Sequence, residues 1–320
     1  MKLSSPDTPL ISVLVVSYNN EKFIKETIES CLYQDFDNFE VIISDDNSND
    51  NSWEIIKKID SQKVRAFKQE KNLGEYKNRN FCLDMATGDF VIFMDGEDLL
   101  YPHALRLLSY YISKYPKAGQ FIANIWNERI IYPIEIPAAE FAKIEFLGTG
   151  CTALNFTRLI LNRKLLKALN NFDDDSIKLG DLYIQYKVGF NYSSVLIPDG
   201  FSWWRRRSGQ ASESILSNNL NYYIESYKVI SVFLPKTEIL FTTNQYKQAK
   251  INYYGQLLRV VVRSLVRLEK KGFVFYFSKW TGLKKYTLFI LNKSNRNYLM
   301  KYSGENPFSP NNVTGNVEKN

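Results

Sequence analysis

Short runs of β-branched and aromatic residues alternate with amphipathic segments from residue 11 to residue 125, and this alternation constrains the fold most. Five runs have the length and composition of buried strands. They are Ile11–Val16, Phe39–Ser44, Val64–Phe67, Phe90–Met94 and Gln120–Ile125. Strands that alternate with helices predict an α/β fold with a mostly parallel sheet and helices on both faces. Such sheets bind ligands at the carboxyl ends of their strands.

The second half of the chain has a different organisation. Residues 158–169 have a helix-like pattern, Gly180-Asp181 precedes another, and the sequence becomes helical and basic from about Asn219. We therefore predict an α/β domain over residues 1–215, divided near residue 125. A mainly helical, basic C-terminal region over 216–306 and a disordered polar tail over 307–320 follow.

Histidine and cysteine are scarce. The chain has one histidine, His103, which excludes metal sites built from several histidines. Its three cysteines are widely spaced, which favours neither a disulfide framework nor a thiolate metal site and fits a reducing compartment. We recognise no secretory signal and no apolar stretch of the ~20 residues that a spanning helix needs. We therefore expect the chain to be the whole mature protein and to be cytoplasmic.

Carboxylates follow two of the predicted strands. The strand over 39–44 runs into Asp45-Asp46, and the strand over 90–94 runs into Asp95-Gly96-Glu97-Asp98. Acidic residues are common in turns, so either loop alone could have only a structural role. Two such loops at one sheet edge favour a binding site instead. Asp95, Glu97 and Asp98 offer the hard oxygen ligands that Mg²⁺ or Mn²⁺ prefers, and a nucleoside hydroxyl is a better partner for Asp45 or Asp46.

Four motifs then point to a known family. They are Val15-Val16-Ser17-Tyr18-Asn19, the turn containing Asp46, residues 72–80 with Arg79-Asn80, and Asp95-Gly96-Glu97-Asp98 followed by Pro102. Over residues 10–210 the chain resembles the family 2 glycosyltransferases of the GT-A fold. The resemblance implies an inverting, metal-dependent enzyme that moves a sugar from a nucleotide sugar, a UDP-sugar by family habit. The acceptor would be a saccharide or a lipid-linked saccharide in polysaccharide or lipopolysaccharide synthesis.

The resemblance also implies roles for individual residues. Residues 10–125 would bind the nucleotide sugar, and residues 126–215 would supply the acceptor side and the catalytic residue. Tyr18 and Asp46 would contact the nucleoside, and Arg79 the base or the diphosphate. Asp95 and Glu97, with Asp98 beside them, would bind the metal and the donor. The chain departs from the common pattern in having Gly96 and Glu97 in this motif.

Inverting transfer needs a general base that removes the proton from the acceptor hydroxyl. Leu179-Gly180-Asp181 is similar to the family motif that carries this base, which implies that Asp181 is the catalytic base. On spacing alone, Asp181 could equally cap the following helix. A loop with Trp203, Trp204, Arg205, Arg206 and Arg207 follows. In similar enzymes this loop folds over the donor diphosphate, and guanidinium groups suit phosphate.

The C-terminal region is strongly basic. Residues 201–320 carry 19 basic and 6 acidic side chains, whereas residues 1–200 carry 22 and 28. Residues 256–271 predict an amphipathic helix with Arg259, Arg263 and Arg267 on one face. This basic helix could dock on an anionic membrane, at its inner face, or its apolar stripe could cover the catalytic domain. No nucleic-acid-binding module accompanies the charge, so we do not expect a nucleic acid partner.

Two other classes of function stay open at this point. A protein that binds a nucleotide sugar without catalysing transfer would have the same motifs, with Gly96 and Glu97 as departures. A nucleotidyltransferase also needs carboxylates and Mg²⁺ at a sheet edge. The chain has no GxxxxGK[ST] loop that would support triphosphate binding.

Overall fold

The computed structural model describes residues 8–124, 132–148, 150–153, 155–172, 177–205 and 219–266. These residues form ten strands. Their bounds are Ile11–Ser17 (β1), Phe39–Asp45 (β2), Val64–Lys68 (β3), Phe90–Asp95 (β4), Leu99–Leu100 (β5), Gln120–Asn124 (β6), Ile134–Ile136 (β7), Leu159–Asn162 (β8), Ser194–Pro198 (β9) and Ser202–Trp203 (β10). The five strands predicted from the sequence correspond to β1, β2, β3, β4 and β6, and Ile125 lies outside the described residues.

Eight strands form one sheet in the order β3-β2-β1-β4-β8-β6-β9-β7. β1 is parallel to β2 and β4, β2 is parallel to β3, and β6 is parallel to β9. β8 is antiparallel to both β4 and β6, and β7 is antiparallel to β9. β10 and β5 pair antiparallel in a separate sheet. The predicted α/β fold with a mostly parallel sheet is therefore confirmed.

Nine α-helices lie within the described residues. They are Ile24–Leu32 (α1), Ser52–Ile56 (α2), Glu75–Met85 (α3), Ala104–Lys114 (α4), Ala138–Leu147 (α5), Arg163–Ala168 (α6), Gly180–Gly189 (α7), Asn219–Phe233 (α8) and Thr243–Val266 (α9). Two 3₁₀ turns cover Phe156–Arg158 and Leu234–Ile239. The predicted helical segments after Gly180 and from Asn219 correspond to α7 and α8.

Helices cover both faces of the sheet, so the central strands are apolar on both sides. Val13 and Val15 of β1 belong to a core cluster that includes Ile28 of α1 and Leu108 of α4. The side chains of a strand alternate between the faces, and the opposite face is covered by α3, which contacts β1 and β2. This arrangement leaves the carboxyl ends of the strands as an edge where polar loops can meet.

The helix predicted over residues 158–169 is wrong in its first part. Residues Leu159–Asn162 form strand β8, and only Arg163–Ala168 is helical. Leu159, Ile160 and Leu161 are buried between β4 and β6, where a strand can satisfy its backbone groups on both sides. A short apolar run suits a buried strand and a helix equally well, so tertiary pairing decides between them.

The chain divides into two compact units. The first contains all ten strands, and α8 and α9 belong to the second. In the second unit the rings of Tyr227 and Tyr253 stack with centroids 5.3 Å apart, and Asn252 donates a hydrogen bond to the backbone oxygen of Phe146. The boundary predicted at residue 215 and the tail predicted from residue 307 lie outside the described residues, so both stay predictions.

Candidate active site

The strand register brings the two predicted acidic loops to one edge of the sheet. Ser17 at the end of β1 is paired with Asp45 of β2, and Val16 is paired with Asp95 of β4. β1 therefore lies between the two acidic strand ends. The loops that follow β1, β2 and β4 meet at this edge, as expected for a parallel sheet.

The loops after β1 and β2 hold each other in place. The backbone N–H groups of Asn19 and Asn20 donate to the hydroxyl oxygens of Ser48 and Ser52, at 2.9 and 2.8 Å. Asn19 has a φ of 55°, in the left-handed region that asparagine tolerates better than most residues. The polar composition of both loops therefore fixes the backbone at the carboxyl end of β1.

Asp45 and Asp46 have different environments. Asp45 closes its own turn, since its carboxylate accepts from the N–H and the hydroxyl of Ser48 at 2.9 and 2.6 Å. Asp46 instead accepts from the N–H groups of Leu73 and Gly74, at 2.7 and 3.0 Å, in the segment before α3. A carboxylate has about four acceptor positions, so Asp46 can still accept from a ligand. Burial raises the pKa of Asp46, against the effect of these two hydrogen bonds.

Arg79 of α3 is buried at the sheet edge where the loops after β1, β2 and β4 meet, named here the acidic edge. Only 1% of this residue is exposed, and its Nη2 lies 2.6 Å from Asp95 and 3.2 Å from Glu75. Its guanidinium carbon lies 3.9 Å from the ring centroid of Phe156. Nε and Nη1 have no hydrogen-bond partner among the described residues. Burial would lower the pKa of Arg79, but the charges of Asp95 and Glu75 outweigh it and raise that pKa, so Arg79 stays charged.

Residues 95–98, named here the acidic loop, follow β4. The N–H of Gly96 donates to the backbone oxygen of Val16 at 2.9 Å, and a Cβ at Gly96 would crowd Asn20 and that oxygen. The close packing around Gly96 therefore explains why a glycine separates Asp95 from Glu97. Oδ1 of Asp98 accepts from the N–H of Arg205 at 3.1 Å, whereas Oδ2 is buried with no partner in the described part of the chain.

Arg205 contacts the acidic loop and helps to fix its position. Its Nε donates to the backbone oxygen of Glu97 at 2.8 Å, and its Nη2 lies 2.6 Å from Glu26. The guanidinium carbon also lies over the rings of Phe23 and Trp203, at 4.6 and 4.7 Å. The contacts of this guanidinium thus include protein groups that fix the loop. A direct contact of Arg205 with a diphosphate stays a prediction.

Metal binding by the acidic loop depends on how its carboxylates are grouped. Among the described residues, no three His, Cys, Asp or Glu side chains are grouped so as to hold a metal ion. Mg²⁺ commonly uses only one or two carboxylates and completes its shell with substrate phosphates and water. Burial raises the pKa of Asp98 to about 8, and the negative charges of Asp95 and Glu97 contribute to the rise. Its unpartnered Oδ2 and this concentration of carboxylates fit a divalent cation that a phosphate helps to bind.

Asp181 lies in the first turn of α7, opposite the first turn of α3. The N–H of Gly180 donates to the hydroxyl of Tyr76 at 2.9 Å, and a Cβ at Gly180 would overlap the Tyr76 ring. The next turn of α7 contributes Gln185, which donates to the backbone oxygen of Asp181 at 2.9 Å. One contact distant in sequence, from Gly180 to Tyr76, and one within α7, from Gln185, therefore fix the position of Asp181.

Asp181, Glu75 and Asp95 form a set of mutually interacting carboxylates around Arg79. Burial, opposed by a hydrogen bond from the N–H of Leu182, raises the pKa of Asp181 to about 6, and the charges of Glu75 and Asp95 contribute to the rise. Burial likewise raises the pKa of Glu75. The side chains of Asp95 and Glu75 are nevertheless 38% and 47% exposed. The carboxylates of Asp95 and Glu75 therefore remain accessible to a ligand.

The remaining predicted site residues have these positions. Tyr18 and Trp203 are exposed and Trp204 is partly buried, whereas Arg207 lies outside the described residues. Residues 256–266 of the predicted basic helix lie in α9, and residues 267–271 fall outside the described range. No helix in the described ranges combines the length and apolar character that crossing a membrane requires.

Glu75 and Tyr76 were not predicted from the sequence. A signal for Glu75 existed, because an acidic residue four positions before an arginine predicts an ion pair on a helix, and this spacing holds for Arg79. No local signal existed for Tyr76, whose hydroxyl contacts a residue 104 positions away.

Comparison with known proteins gives a consistent family. The sequence profile of glycosyl transferase family 2 matches residues 12–171, half of the chain. A segment of 89 residues is 37% identical to the Escherichia coli UDP-Glc:α-D-GlcNAc-diphosphoundecaprenol β-1,3-glucosyltransferase WfaP and covers 28% of this chain. That segment spans 36% of the relative, little more than a third of its length.

A longer and weaker match, 25% identical over 249 residues, covers 74% of this chain and 92% of a second Escherichia coli relative. That relative is the UDP-Glc:α-D-GlcNAc-diphosphoundecaprenol β-1,3-glucosyltransferase WfgD. Among solved structures, residues 1–349 of TarS from S. aureus align with a TM-score of 0.60 at 20% identity, covering 85% of this chain and 78% of that one. At this identity the likeness concerns the fold alone.

Proposed function

Because the chain belongs to glycosyl transferase family 2, we propose that it transfers a sugar, with inversion, from a UDP-sugar to a hydroxyl of a saccharide or lipid-linked saccharide. The relatives WfaP and WfgD are named for a UDP-sugar donor and a diphosphoundecaprenol-linked acceptor, which supports this choice of substrates. The reaction would serve the synthesis of a polysaccharide or lipopolysaccharide.

One observation carries the proposal. Asp181 and Asp95 come from different parts of the fold, interact electrostatically with each other, and both interact with the buried Arg79. Inverting transfer needs a carboxylate for the acceptor hydroxyl and, on the opposite side of the sugar, a site that stabilises the departing diphosphate. Asp181 is suited to accept the proton of the acceptor hydroxyl, and the acidic loop is suited to stabilise the departing diphosphate.

Asp181 would act as the general base. It would accept the proton of the acceptor hydroxyl while the hydroxyl oxygen attacks the anomeric carbon and the bond to the diphosphate breaks. A base is most effective when its pKa lies near the working pH, and burial raises the pKa of Asp181 to about 6. The contacts of Gly180 with Tyr76 and of Asp181 with Gln185 would keep this carboxylate in position.

The nucleotide side would use the loops at the ends of β1, β2 and β4. The exposed ring of Tyr18 would lie against the base, and Asp46 would accept from the nucleoside. Arg79 would act mainly by positioning Asp95. Trp203, Trp204, Arg205 and Arg207 would belong to a loop near the diphosphate.

One or two carboxylates of the acidic loop, drawn from Asp95, Glu97 and Asp98, would hold Mg²⁺ or Mn²⁺ together with the donor diphosphate. A bound divalent cation would offset the negative charge that develops on the departing diphosphate.

Nucleotide binding tests the proposal directly. We expect UDP-sugars to raise the melting temperature of the protein in the presence of Mn²⁺, because a ligand that binds only the folded state stabilises it. At 100 times its dissociation constant the gain is about 2.7 kcal/mol. The measurement is a thermal-shift panel of UDP-glucose, UDP-galactose, UDP-N-acetylglucosamine and GDP-mannose, each with Mn²⁺ and with EDTA.

The same panel separates the parts of the proposal. A shift with GDP-mannose alone would replace the UDP assignment, and an equal shift with EDTA would reject the cation. No shift with any nucleotide sugar, together with no release of UDP, would reject the proposed function.

Membrane docking is proposed for the basic C-terminal region. The 19 basic and 6 acidic side chains of residues 201–320 would attract an anionic surface, where a lipid-linked acceptor resides. We expect co-sedimentation with vesicles that contain anionic lipid. We expect about tenfold weaker binding when salt is raised from 0.1 to 0.5 M, since exposed charges are screened.

A matched pair of variants tests this docking. Replacing Arg259, Arg263 and Arg267 by glutamine should weaken vesicle binding about tenfold, at about 1 kcal/mol per charge near the surface before screening. Replacing the exposed Lys58, Lys68 and Lys117 of the first unit by glutamine removes the same charge and should leave binding unchanged. Equal loss in both variants, or equal binding to neutral vesicles, would contradict docking through this helix.

A further inference from the structure

Glu75 is an unassigned carboxylate at the candidate site. It is the first residue of α3, and its Oε1 lies 3.2 Å from Nη2 of Arg79. The structure gives its second oxygen no partner among the described residues, and 47% of the side chain is exposed. One oxygen of this carboxylate is therefore held by Arg79, and the other is available to a ligand.

The surroundings place Glu75 between the two groups that the reaction would use. On one side, the nitrogen of Arg79 that contacts Glu75 also contacts Asp95, at 2.6 Å. On the other side, the hydroxyl of the neighbouring Tyr76 accepts a hydrogen bond from the N–H of Gly180, which precedes Asp181. A sugar held between the acidic loop and the general base would therefore lie beside Glu75.

An independent feature indicates that a ligand completes this edge. In the acidic loop, Oδ2 of Asp98 is buried without a hydrogen-bond partner in the described part of the chain, and Asp98 is 0% exposed. Buried carboxylate oxygens are rarely left unpaired in a complete structure.

We propose that Glu75 is a specificity-determining residue, which accepts a hydrogen bond from a hydroxyl of a neutral donor sugar and excludes sugars that carry a carboxylate. The inference rests on the proposed function and narrows its donor to a neutral hexose or N-acetylhexosamine. Sites that hydrogen-bond a substrate hydroxyl discriminate strongly, because an analogue that cannot donate leaves a polar group unpaired.

The charge balance around the site favours this selection. Glu75, Asp95 and Asp181 contribute three carboxylates, whereas Arg79 contributes one buried guanidinium, and the charge of the proposed divalent cation is offset by the donor diphosphate. A uronate placed among them would add a like charge where the surrounding protein limits solvation. A neutral sugar would offer hydroxyl donors to the same oxygens and encounter no such repulsion.

Comparison of neutral and acidic donors tests the inference. The assay measures UDP release and calorimetric binding of UDP-glucose, UDP-galactose, UDP-N-acetylglucosamine and UDP-glucuronic acid, with Mn²⁺ present. We expect the wild-type protein to favour its best neutral donor over UDP-glucuronic acid by about 100-fold, since like charges at a binding site strongly suppress a wrong ligand. Glu75→Gln should narrow this ratio about tenfold and leave the affinity for UDP itself unchanged, because a neutral amide removes the repulsion.

Glu70→Gln is the matched control, because Glu70 is an exposed glutamate in the segment just before α3. We expect its donor ratio to equal that of the wild-type protein. An unchanged ratio in Glu75→Gln, with neutral donors still bound, would overturn the role of Glu75 and leave the proposed function standing. A wild-type protein that prefers UDP-glucuronic acid would also overturn it. Failure of the wild-type protein to bind or cleave any of the four donors would overturn the proposed function, and this inference with it.

Discussion

Asp181→Asn should lower the turnover number about 1000-fold, within the 10²–10⁴ range that a positioned general base contributes. Asparagine has nearly the same shape, and its side-chain oxygen can still accept from the N–H of Leu182, which Asp181 contacts at 2.8 Å. The fold and the donor site should therefore be retained. We expect the dissociation constant of UDP, measured by calorimetry, to change less than about threefold while UDP release in the presence of acceptor collapses.

The pH dependence of turnover supplies a second readout for Asp181. Burial raises the pKa of Asp181 to about 6, and only the ionised form can accept a proton. Turnover by the wild-type protein should therefore rise with pH through about 6 and level off above it. The residual turnover of Asp181→Asn should lack this step, because the titrating carboxyl is gone.

Asp84→Asn is the control for this experiment. Asp84 is an exposed residue of α3 that pairs with Lys167 at 2.8 Å, away from the acidic edge. Its variant should keep wild-type turnover and the same pH profile. Full turnover in Asp181→Asn would remove Asp181 from the mechanism, and loss of UDP binding in that variant would show that its role is structural.

Local patterns predicted the parts of the fold in which propensity and tertiary environment agree. The apolar runs of β1, β2 and β4 are buried on both faces of the sheet. A continuous β-branched run in this environment is typical of a central parallel strand. Residues 159–162 are different, because their run is short and the strand is selected by the opening between β4 and β6. That opening is formed by residues distant in sequence, and no local pattern records it.

The same distinction applies to the candidate site. The acidic loops were predictable, because residues that end adjacent parallel strands must meet at one edge. The position of Glu75 was not, because it depends on Tyr76 reaching Gly180 across 104 residues. In the sequence, Glu75 looks like an ordinary acidic residue in the first turn of a helix, where the helix dipole favours it. Only the packing of α3 against α7 makes it part of the acidic cluster.

Asp95→Asn should lower the free energy of unfolding by about 2 kcal/mol, less than for a fully buried ion pair because the Asp95 side chain is 38% exposed. Arg79 is 1% exposed, and its short contact to Asp95 is 2.6 Å, against 3.2 Å to Glu75. Without Asp95, a buried guanidinium would keep only the weaker partner. The measurement is urea unfolding at pH 7 in the absence of nucleotide, so that the loss of stability is separate from any loss of donor binding.

A double-mutant cycle distinguishes this coupling from a general effect of removing a charge. Arg79→Met with Asp95→Asn should be more stable than the sum of the single changes by about 2 kcal/mol, because the second change removes the charge that the first leaves unpaired. Arg106 and Asp35 form the matched exposed pair, with Nε and Oδ2 2.7 Å apart and both side chains 45% exposed. Water solvates either partner there, so Arg106→Met and Asp35→Asn should couple by less than about 1 kcal/mol. Equal coupling in the two cycles would mean that burial of Arg79 does not strengthen its pair with Asp95. The acidic loop would then have to be held chiefly by Gly96 and Arg205, through their hydrogen bonds to the backbone of Val16 and Glu97.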